Sequence, residues 1–554
     1  MFPETINQSL FQLLLKNEKE AADSVYLKQP KKGVWHKLTW SEVMNQARKV
    51  AGFLQHLGLE QGSHVSIISK NCAEWFITDF GIHLAGMVNV PLFPNQHEES
   101  IHYILNHAEI KLVFIGKLDN ALQIRGFIPQ QYPTVSFDYH QDLKTTYKWS
   151  EIQRGEPLNI LEEPAPEAIY TIIYSSGTTG SPKGAVYTNQ SIANYLSIIP
   201  PDLRKISDLP HYSLVSYLPL AHVYERSAIQ LVSLTVPSDV SFIESLDKFE
   251  ENLQEIESTL FAAVPRIWGV FQQKIEQKIP PILLKVLLNI PYISTLIRKK
   301  IIHSLGFNQC TNYFSGASHL PLSIMKFFEQ LGITIQEGYG QTENMAYATL
   351  AQRNDIKPGY VGTARLEVLI KLSEEGELLI NSPCLMRGYY KEEQASKDSF
   401  TAEGWLRTGD TAEMDTHHRV KILGRISENF KNQSGEYITP SLIEKKFESK
   451  GIIEQLCLVG KGLPHNVLLV MLSAAALAKD KQEIINQLQE CLKKVNRQLA
   501  KYEKISNIIV VNDIWSTDND LLTPTLKVKR KVVEQYYAKI IEKALEQKKT
   551  IIMQ

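Results

Sequence analysis

Eight short apolar runs alternate with helical stretches through the first three quarters of this chain: SHVSIIS, KLVFIG, TVSFD, AIYTIIY, SLVSYLP, STLFAAVP, TNYFSG and ITIQEGYG. β-Branched and aromatic residues dominate them, so the rhythm predicts α/β layers with substantial parallel sheet. From Glu367 the pattern changes to EVLIKLSEEGELLINSP, strands joined by a Glu-Glu-Gly turn, which predicts a small antiparallel or barrel-like subdomain closed by Arg425. Beyond Arg425 the order strand, helix, strand and Lys-rich terminal helix predicts a compact α+β unit of about 125 residues, an ordinary domain size. At 554 residues the chain exceeds one ordinary core. The expected fold is therefore α/β: a large multi-subdomain N-terminal domain, 1–425, followed by a small α+β C-terminal domain, 426–554.

Formal charge is −1, from 59 basic and 60 acidic side chains, so no global field favours nucleic acid or an anionic surface. Cys72, Cys310, Cys384, Cys457 and Cys491 are scattered without C-x-x-C spacing, which argues against a disulfide framework and a zinc site. A reducing cytoplasm is the expectation. The first twenty residues lack the basic region and long apolar core of a signal peptide and read as an amphipathic helix, so no export is expected.

The segment YSSGTTGSPKG, Tyr174 to Gly184, places hydroxyls, glycines and one lysine directly behind the apolar run AIYTII. A loop at a strand end with free backbone N–H groups, hydroxyl donors and a cation is what a polyphosphate requires of a protein surface. The spacing is not G-x-x-x-x-G-K-[ST], because Lys183 follows Gly180 by three and precedes Gly184, which disfavours an ordinary P-loop.

This segment resembles the phosphate-binding signature of the adenylate-forming superfamily, and further motifs extend the resemblance in order along most of the chain. SYLPLAHVYER (Ser216 to Arg226), AAVPRIWGVFQQKI (from Ala262) and LTPTLKVKRK (Leu522 to Lys531) resemble long-chain fatty acyl-CoA synthetases in particular. GYGQTE (Gly338 to Glu343), GWLRTGD (Gly404 to Asp410) and ILGR (Ile422 to Arg425) complete the series. The resemblance implies a large domain and a small mobile lid that rotates between two half-reactions, hinged just after Gly424 and Arg425. The family usually has Asp or Lys where this chain has Ser427.

A carboxylate is a poor electrophile, and adenylation gives it a better leaving group. Its attack on the α-phosphate of ATP joins two anions, so a protein must supply positive charge and orientation. Ser175, Ser176, Gly177, Thr178, Thr179, Gly180 and Lys183 suit the β- and γ-phosphates. The resemblance implies that Tyr339 and Gly340 flank adenine, that Thr342 contacts the α-phosphate and that Glu343 holds Mg²⁺. On residues alone, YGQTE also reads as a helix N-terminus capped by Thr342. The resemblance further makes Gly316 and Ala317 the other adenine wall, with Gly316 bordering the acyl pocket, and gives the ribose to Asp410 and Arg425. A surface salt bridge is the competing explanation for that pair. Lys527 matches the adenylation lysine, Lys431 and Gly435 fall where the rotated lid would serve thioester formation, and His222 would line the carboxylate site.

The implied activity is a long-chain fatty acid–CoA ligase that uses ATP, Mg²⁺ and CoA. A ligase for other acids, a fatty acyl-AMP ligase acting on a carrier protein and a non-catalytic sensor are the alternatives. IPPILLKVLLNIPYISTLI, Ile279 to Ile297, is broken by prolines and cannot span a membrane. Two readings stay open: a helical hairpin packed on the body, or a peripheral membrane contact through Ile279 to Lys300. Oligomeric state is not legible.

Overall fold

A computed structural model describes residues 8–175, 182–433, 435–447, 451–547 and 549–554, the side chain of residue 475 apart. All eight apolar runs form strands. An eight-stranded sheet orders Gly388–Tyr389, Gly184–Thr188, Ile169–Tyr174, Val88–Leu92, His64–Ile68, Leu112–Ile115, Thr134–Ser136 and Tyr147–Lys148. Its pairs run parallel from Ile169–Tyr174 outward to Tyr147–Lys148, and antiparallel at the other edge. The central strands His64–Ile68, Val88–Leu92 and Leu112–Ile115 are buried at every position, as parallel strands covered on both faces must be.

A four-stranded sheet brings together Tyr212–Ser216, Ser238–Phe242, Val25–Lys31 and Val34–Thr39. A five-stranded one orders Leu260–Ala263, Asn312–Ser315, Ile335–Tyr339, Thr349–Leu350 and Thr363–Ala364. The helix Ala73–Leu84 is buried at all twelve residues, polar Glu74, Asp79 and His83 included. Asp79 is neutralised there by Arg226, whose Nη2 donates to both carboxylate oxygens at 3.0 Å. Tyr170, Thr171, Asn89 and Gln230 complete the network, which satisfies a buried ion pair as low dielectric demands. Arg226 opens a π-helical segment, Arg226–Leu231, an uncommon form often found near functional sites.

The antiparallel segment is a sheet of Leu369–Leu372, Glu377–Asn381, Leu406–Met414 and Val420–Arg425. The Glu-Glu-Gly turn supplies the bend, with Gly376 at φ +79°, a conformation cheap only for glycine. Backbone bonds of Val420 to Val361 and Gly362, both 2.8 Å, tie its last strand to the neighbouring loop.

Residues from Phe430 onward contribute two apolar clusters of their own, around a sheet of Ile453–Val459, Asn466–Leu472, Ile505–Val511 and Ile551–Met553. The sequence reading ended on a Lys-rich helix. The structure has two short helices there, Arg530–Tyr536 and Ala538–Leu545, and then a strand that returns beside Ile505–Val511.

Ile279 to Lys300 forms a hairpin of helices Pro281–Leu288 and Ile293–Ser304. It packs on the body only through a narrow stripe, with Leu284 and Ile301 buried. Ile282 is 83% exposed, Tyr292 88% and Leu296 67%. Among the described residues no helix is long and apolar enough to cross a membrane.

Candidate active site

The strand Ile335–Tyr339 delivers GYGQTE to a cleft that faces the small domain. After Tyr339 the chain doubles back so tightly that a Cβ on Gly340 would lie 2.3 Å from the Ala346 carbonyl carbon, which only glycine avoids. Thr342–Asn344 is a single 3₁₀ turn with Gln341 at its N-cap, and Met345 and Ala346 follow at φ +54° and +53°. The α-helix N-terminus that YGQTE suggested does not form, and Thr342 caps nothing. The left-handed pair behind it stops helix propagation.

Asp410, on the strand Leu406–Met414, gathers this wall. Tyr339 Oη donates to its Oδ2 at 2.5 Å, Gln341 Nε2 to the same oxygen at 2.7 Å, and Arg425 Nε to Oδ1 at 2.9 Å. Arg425 Nη1 also donates to the Thr408 carbonyl at 3.1 Å. The Asp410–Arg425 pair does form, between an Asp410 side chain only 6% exposed and an Arg425 side chain 47% exposed. Burial first, and then the Asp410 charge, push the Tyr339 phenol well above its usual range, so it stays a donor.

Glu343 accepts from Tyr389 Oη at 2.7 Å, and the Lys183 ammonium lies 5.2 Å from the centroid of the same ring. The backbone N–H of Ser175 donates to the Lys183 carbonyl at 2.9 Å, so these residues close the base of the Gly-rich loop. Ser176, Gly177, Thr178, Thr179 and Gly180 lie outside the described residues. Tyr187 Oη donates to the Thr342 carbonyl at 2.5 Å and accepts from Met345 N at 2.8 Å, which fixes the acidic turn from beneath. Sequence reasoning missed Tyr389, Tyr187 and Gln341.

Gly316 and Ala317 follow the neighbouring strand, where a Cβ on Gly316 would lie 3.7 Å from the Gly338 carbonyl oxygen, and Ala317 stands at φ +67°. A Cβ on Gly316 would meet Tyr224 Cζ at 3.4 Å, so Tyr224 forms the adjoining surface. His222 Nδ1 accepts from Tyr224 N at 3.1 Å, which leaves its proton on Nε2 when the ring is neutral. Burial, and secondarily the Lys527 charge, lower its pKa to about 4, so it is neutral at physiological pH. Next to it Glu225 is fully buried without a cation, and burial raises it to about 8 against hydrogen bonds from Ser216, Tyr217 and Asn71.

The small domain brings Lys527 to this cleft. Its loop is closed by Thr523 N to Lys527 O at 2.8 Å, with Leu526 at φ +61°. Burial first and Arg425 second lower the Lys527 pKa, while Asp410, Glu428 and Glu343 oppose the shift. The residue stays exposed to solvent. Asn95 Nδ2 to the Pro524 carbonyl at 3.4 Å and Arg266 to Glu454 at 3.1 Å join body and small domain, as do Ser441 Oγ to the Leu423 carbonyl at 2.7 Å and Lys445 Nζ to the Ile422 carbonyl at 3.0 Å. Lys431 and Gly435 are not brought together with these groups. They are exposed on a ribbon, Phe430–Lys431 paired with Tyr437–Ile438, whose Phe430 and Ile438 are buried and where the Lys431 ammonium sits over the Tyr437 ring.

A large α/β body, a small α+β domain and a cationic loop reaching across the cleft between them define a two-domain enzyme fold of the adenylate-forming class. The fold resembles that of the A domain of carboxylic acid reductase from Segniliparus rugosus, solved with AMP and a co-purified carboxylic acid, at TM-score 0.80 and 20% identity over 98% of this chain and 95% of that one. Anthranilate CoA ligase AuaEII, solved with anthranoyl-AMP, is similar at TM-score 0.73 and 19% identity, covering 97% of this chain and 98% of that one. Residues 15–390 match the family described as AMP-binding enzyme and residues 431–549 the AMP-binding enzyme C-terminal domain, so the chain belongs to the AMP-binding enzymes. Among curated proteins it is 27% identical to long-chain-fatty-acid–CoA ligase FadD15 of Mycobacterium bovis, over 96% of each chain. It is 28% identical to long-chain-fatty-acid–CoA ligase 5 of Rattus norvegicus, over 92% of this chain and 84% of that protein.

Proposed function

We propose that the protein is a long-chain fatty acid–CoA ligase that forms acyl-AMP and pyrophosphate, then acyl-CoA and AMP. The observation that carries this is the loop of Lys527, from the small domain, held against the body by Asn95 Nδ2 to the Pro524 carbonyl at 3.4 Å, where the lysine charge is felt by His222 and itself feels Asp410 and Glu343. Named relatives over nearly the full length support the long-chain acid.

In the first half-reaction a carboxylate oxygen of the acid attacks the α-phosphorus, and the bond to the pyrophosphate oxygen breaks. Lys527 offers a positive charge where the two anions meet. The hydroxyl of Thr342 is assigned to the α-phosphate, and Lys183 with the loop Ser175–Gly180 to the outer phosphates. Tyr339, Gly340, Gly316 and Ala317 are assigned to adenine, Asp410 and Arg425 to the ribose, and neutral His222, with Gly316, to the carboxylate end of the acid. A single half-buried carboxylate at Glu343 fits Mg²⁺, which takes one or two protein carboxylates and fills its sphere with phosphate and water. When bound, the ion would neutralise phosphate charge. In the second half-reaction the CoA sulfur attacks the acyl carbon and AMP departs, with Lys431 and Gly435 assigned to the face that domain rotation about 425/426 would present. The domains proposed are thus 1–425 and 426–554.

The test is pyrophosphate release from ATP by purified protein with a series of acids from short to long, together with product analysis in the presence of CoA. Long-chain acids should turn over fastest and yield acyl-CoA. No pyrophosphate with any acid sinks the reading, fastest turnover of aryl acids replaces it with another ligase, and acyl-AMP accumulating despite CoA points to a carrier-protein acceptor.

The proposed compartment is the cytoplasm, against a bilayer. Ile282, Leu283, Val286, Tyr292, Ile293 and Leu296 expose apolar surface on the hairpin, while Lys278, Lys285, Arg298, Lys299 and Lys300 carry positive charge beside it and residues 277–301 include no acid. Apolar side chains next to lysines and arginines suit an anionic lipid surface, and five like charges oppose self-association through this face. Sedimentation with anionic vesicles, weakened by salt and abolished by Ile282→Asp with Leu296→Asp, is the expected result. Equal sedimentation of this variant overturns the contact.

A further inference from the structure

The aromatic pair Tyr389-Tyr390 belongs to none of the motifs that pointed to nucleotide chemistry, yet the fold stitches its segment to two of them. Tyr389 pairs with Ala185 and Gly388 with Val186, directly after Lys183 in the chain. Tyr390 N donates to the Gly184 carbonyl and Arg387 N to that of Val186, both at 2.8 Å, while Met386 N donates to the Glu343 carbonyl at 2.9 Å. Ser396 Oγ accepts from Tyr389 N at 2.8 Å and fixes the residue from its other side.

The side chain repeats the connection. Its hydroxyl lies 2.7 Å from Glu343 Oε1, and its ring lies 5.2 Å from the Lys183 ammonium, within cation–π reach of about 6 Å. An ionised carboxylate only accepts, so the phenol is the donor.

We infer that Tyr389 is a positioning residue, holding the Glu343 carboxylate through its hydroxyl for a divalent cation and the Lys183 ammonium over its ring for the outer phosphates. The inference rests on the ligase reading. With Oε1 engaged by Tyr389, Oε2 would be the oxygen offered to a nucleotide-bound cation. A ring face restrains a long flexible ammonium without neutralising it, so Lys183 can turn to phosphate without breaking an ion pair. One residue thus keeps an acid and a base in register.

Two variants separate the two roles. Tyr389→Phe removes the hydroxyl and keeps the ring, whereas Tyr389→Leu removes both. Mn²⁺ binding, followed by paramagnetic resonance with a non-hydrolysable ATP analogue, reads the first role, and calorimetric binding of the same analogue in EDTA reads the second. Tyr389→Phe should loosen Mn²⁺ about tenfold while metal-free nucleotide binding stays within about twofold, which also certifies the folded cleft. Tyr389→Leu should loosen both. In a Glu343→Gln background, Tyr389→Phe should add nothing to the loss of Mn²⁺. An unchanged Mn²⁺ affinity in Tyr389→Phe, an equal loss of both affinities, or an undiminished effect in the Glu343→Gln background overturns the tyrosine's role alone. Absence of nucleotide binding by the unaltered protein overturns the ligase reading with it.

Discussion

On the body's side of the cleft, Asp410 takes hydrogen bonds from Tyr339, Gln341 and Arg425, and Glu343 takes one from Tyr389. On the side of the small domain, Lys527 sits in a short loop closed on Thr523 and keeps accessible surface. The first wall is held mainly by bonds among the body's own strands. The second contributes charge only through placement. On the proposed function, binding geometry would be built into the body, while the charge for chemistry would arrive with a domain.

The largest expected effect tests that division directly. Lys527→Ala should slow fatty-acid-dependent exchange of pyrophosphate into ATP by about 10²–10³-fold, the cost of losing one preorganised donor. Conversion of supplied acyl-AMP to acyl-CoA should stay within about tenfold, which stopped assays of the two half-reactions would show. Equal loss in both would mean that the lysine shapes the cleft instead of visiting it.

A smaller effect sharpens the body's half of the comparison through pH. Glu225 has its folded value raised to about 8 from 4.5, so its contribution to stability is complete below 4.5 and is lost as pH rises to 8. His222 and His83 are lowered to about 4 from 6.5, by burial first in each case, so their contributions are complete above 6.5 and are lost as pH falls to 4. Of these three groups only Glu225 changes stability between pH 6.5 and 8, by about 2 kcal/mol. Urea denaturation at both pH values should show Glu225→Gln losing about that much less than the unaltered protein across the interval.

The smallest effect lies where the two halves touch. Arg266 and Glu454 are 54% and 33% exposed, so Arg266→Ala should cost under about 1 kcal/mol and change the adenylation rate less than about fivefold. A large loss would mean that the small domain is clamped by side chains and not merely placed.

Much of this was legible because motifs are local. Strand-forming runs announced the sheets, and Lys183, Tyr339, Glu343, Asp410, Arg425 and Lys527 were singled out by the resemblance of their segments to a known family. Tyr389 was missed because its partners, Lys183 and Glu343, lie far away in sequence and are joined to it only by strand pairing. Thr342 misled as a helix cap because what ends the turn is the backbone of Met345 and Ala346, residue types that seldom adopt positive φ. The hairpin was readable as two proline-broken helices, but how little of it would be covered depends on the shape of the body beneath.

Arg226 and Asp79 carry a last consequence. Arg226 follows the segment that carries His222, and it grips Tyr170 and Thr171 on the strand that leads into the Gly-rich loop. The segment proposed to line the acid and the strand before the loop proposed to hold phosphate hence share a bolt. Redesigning this enzyme for a different acid by reshaping residues 222–230 would disturb its grip on nucleotide as well, unless that bolt were left in place.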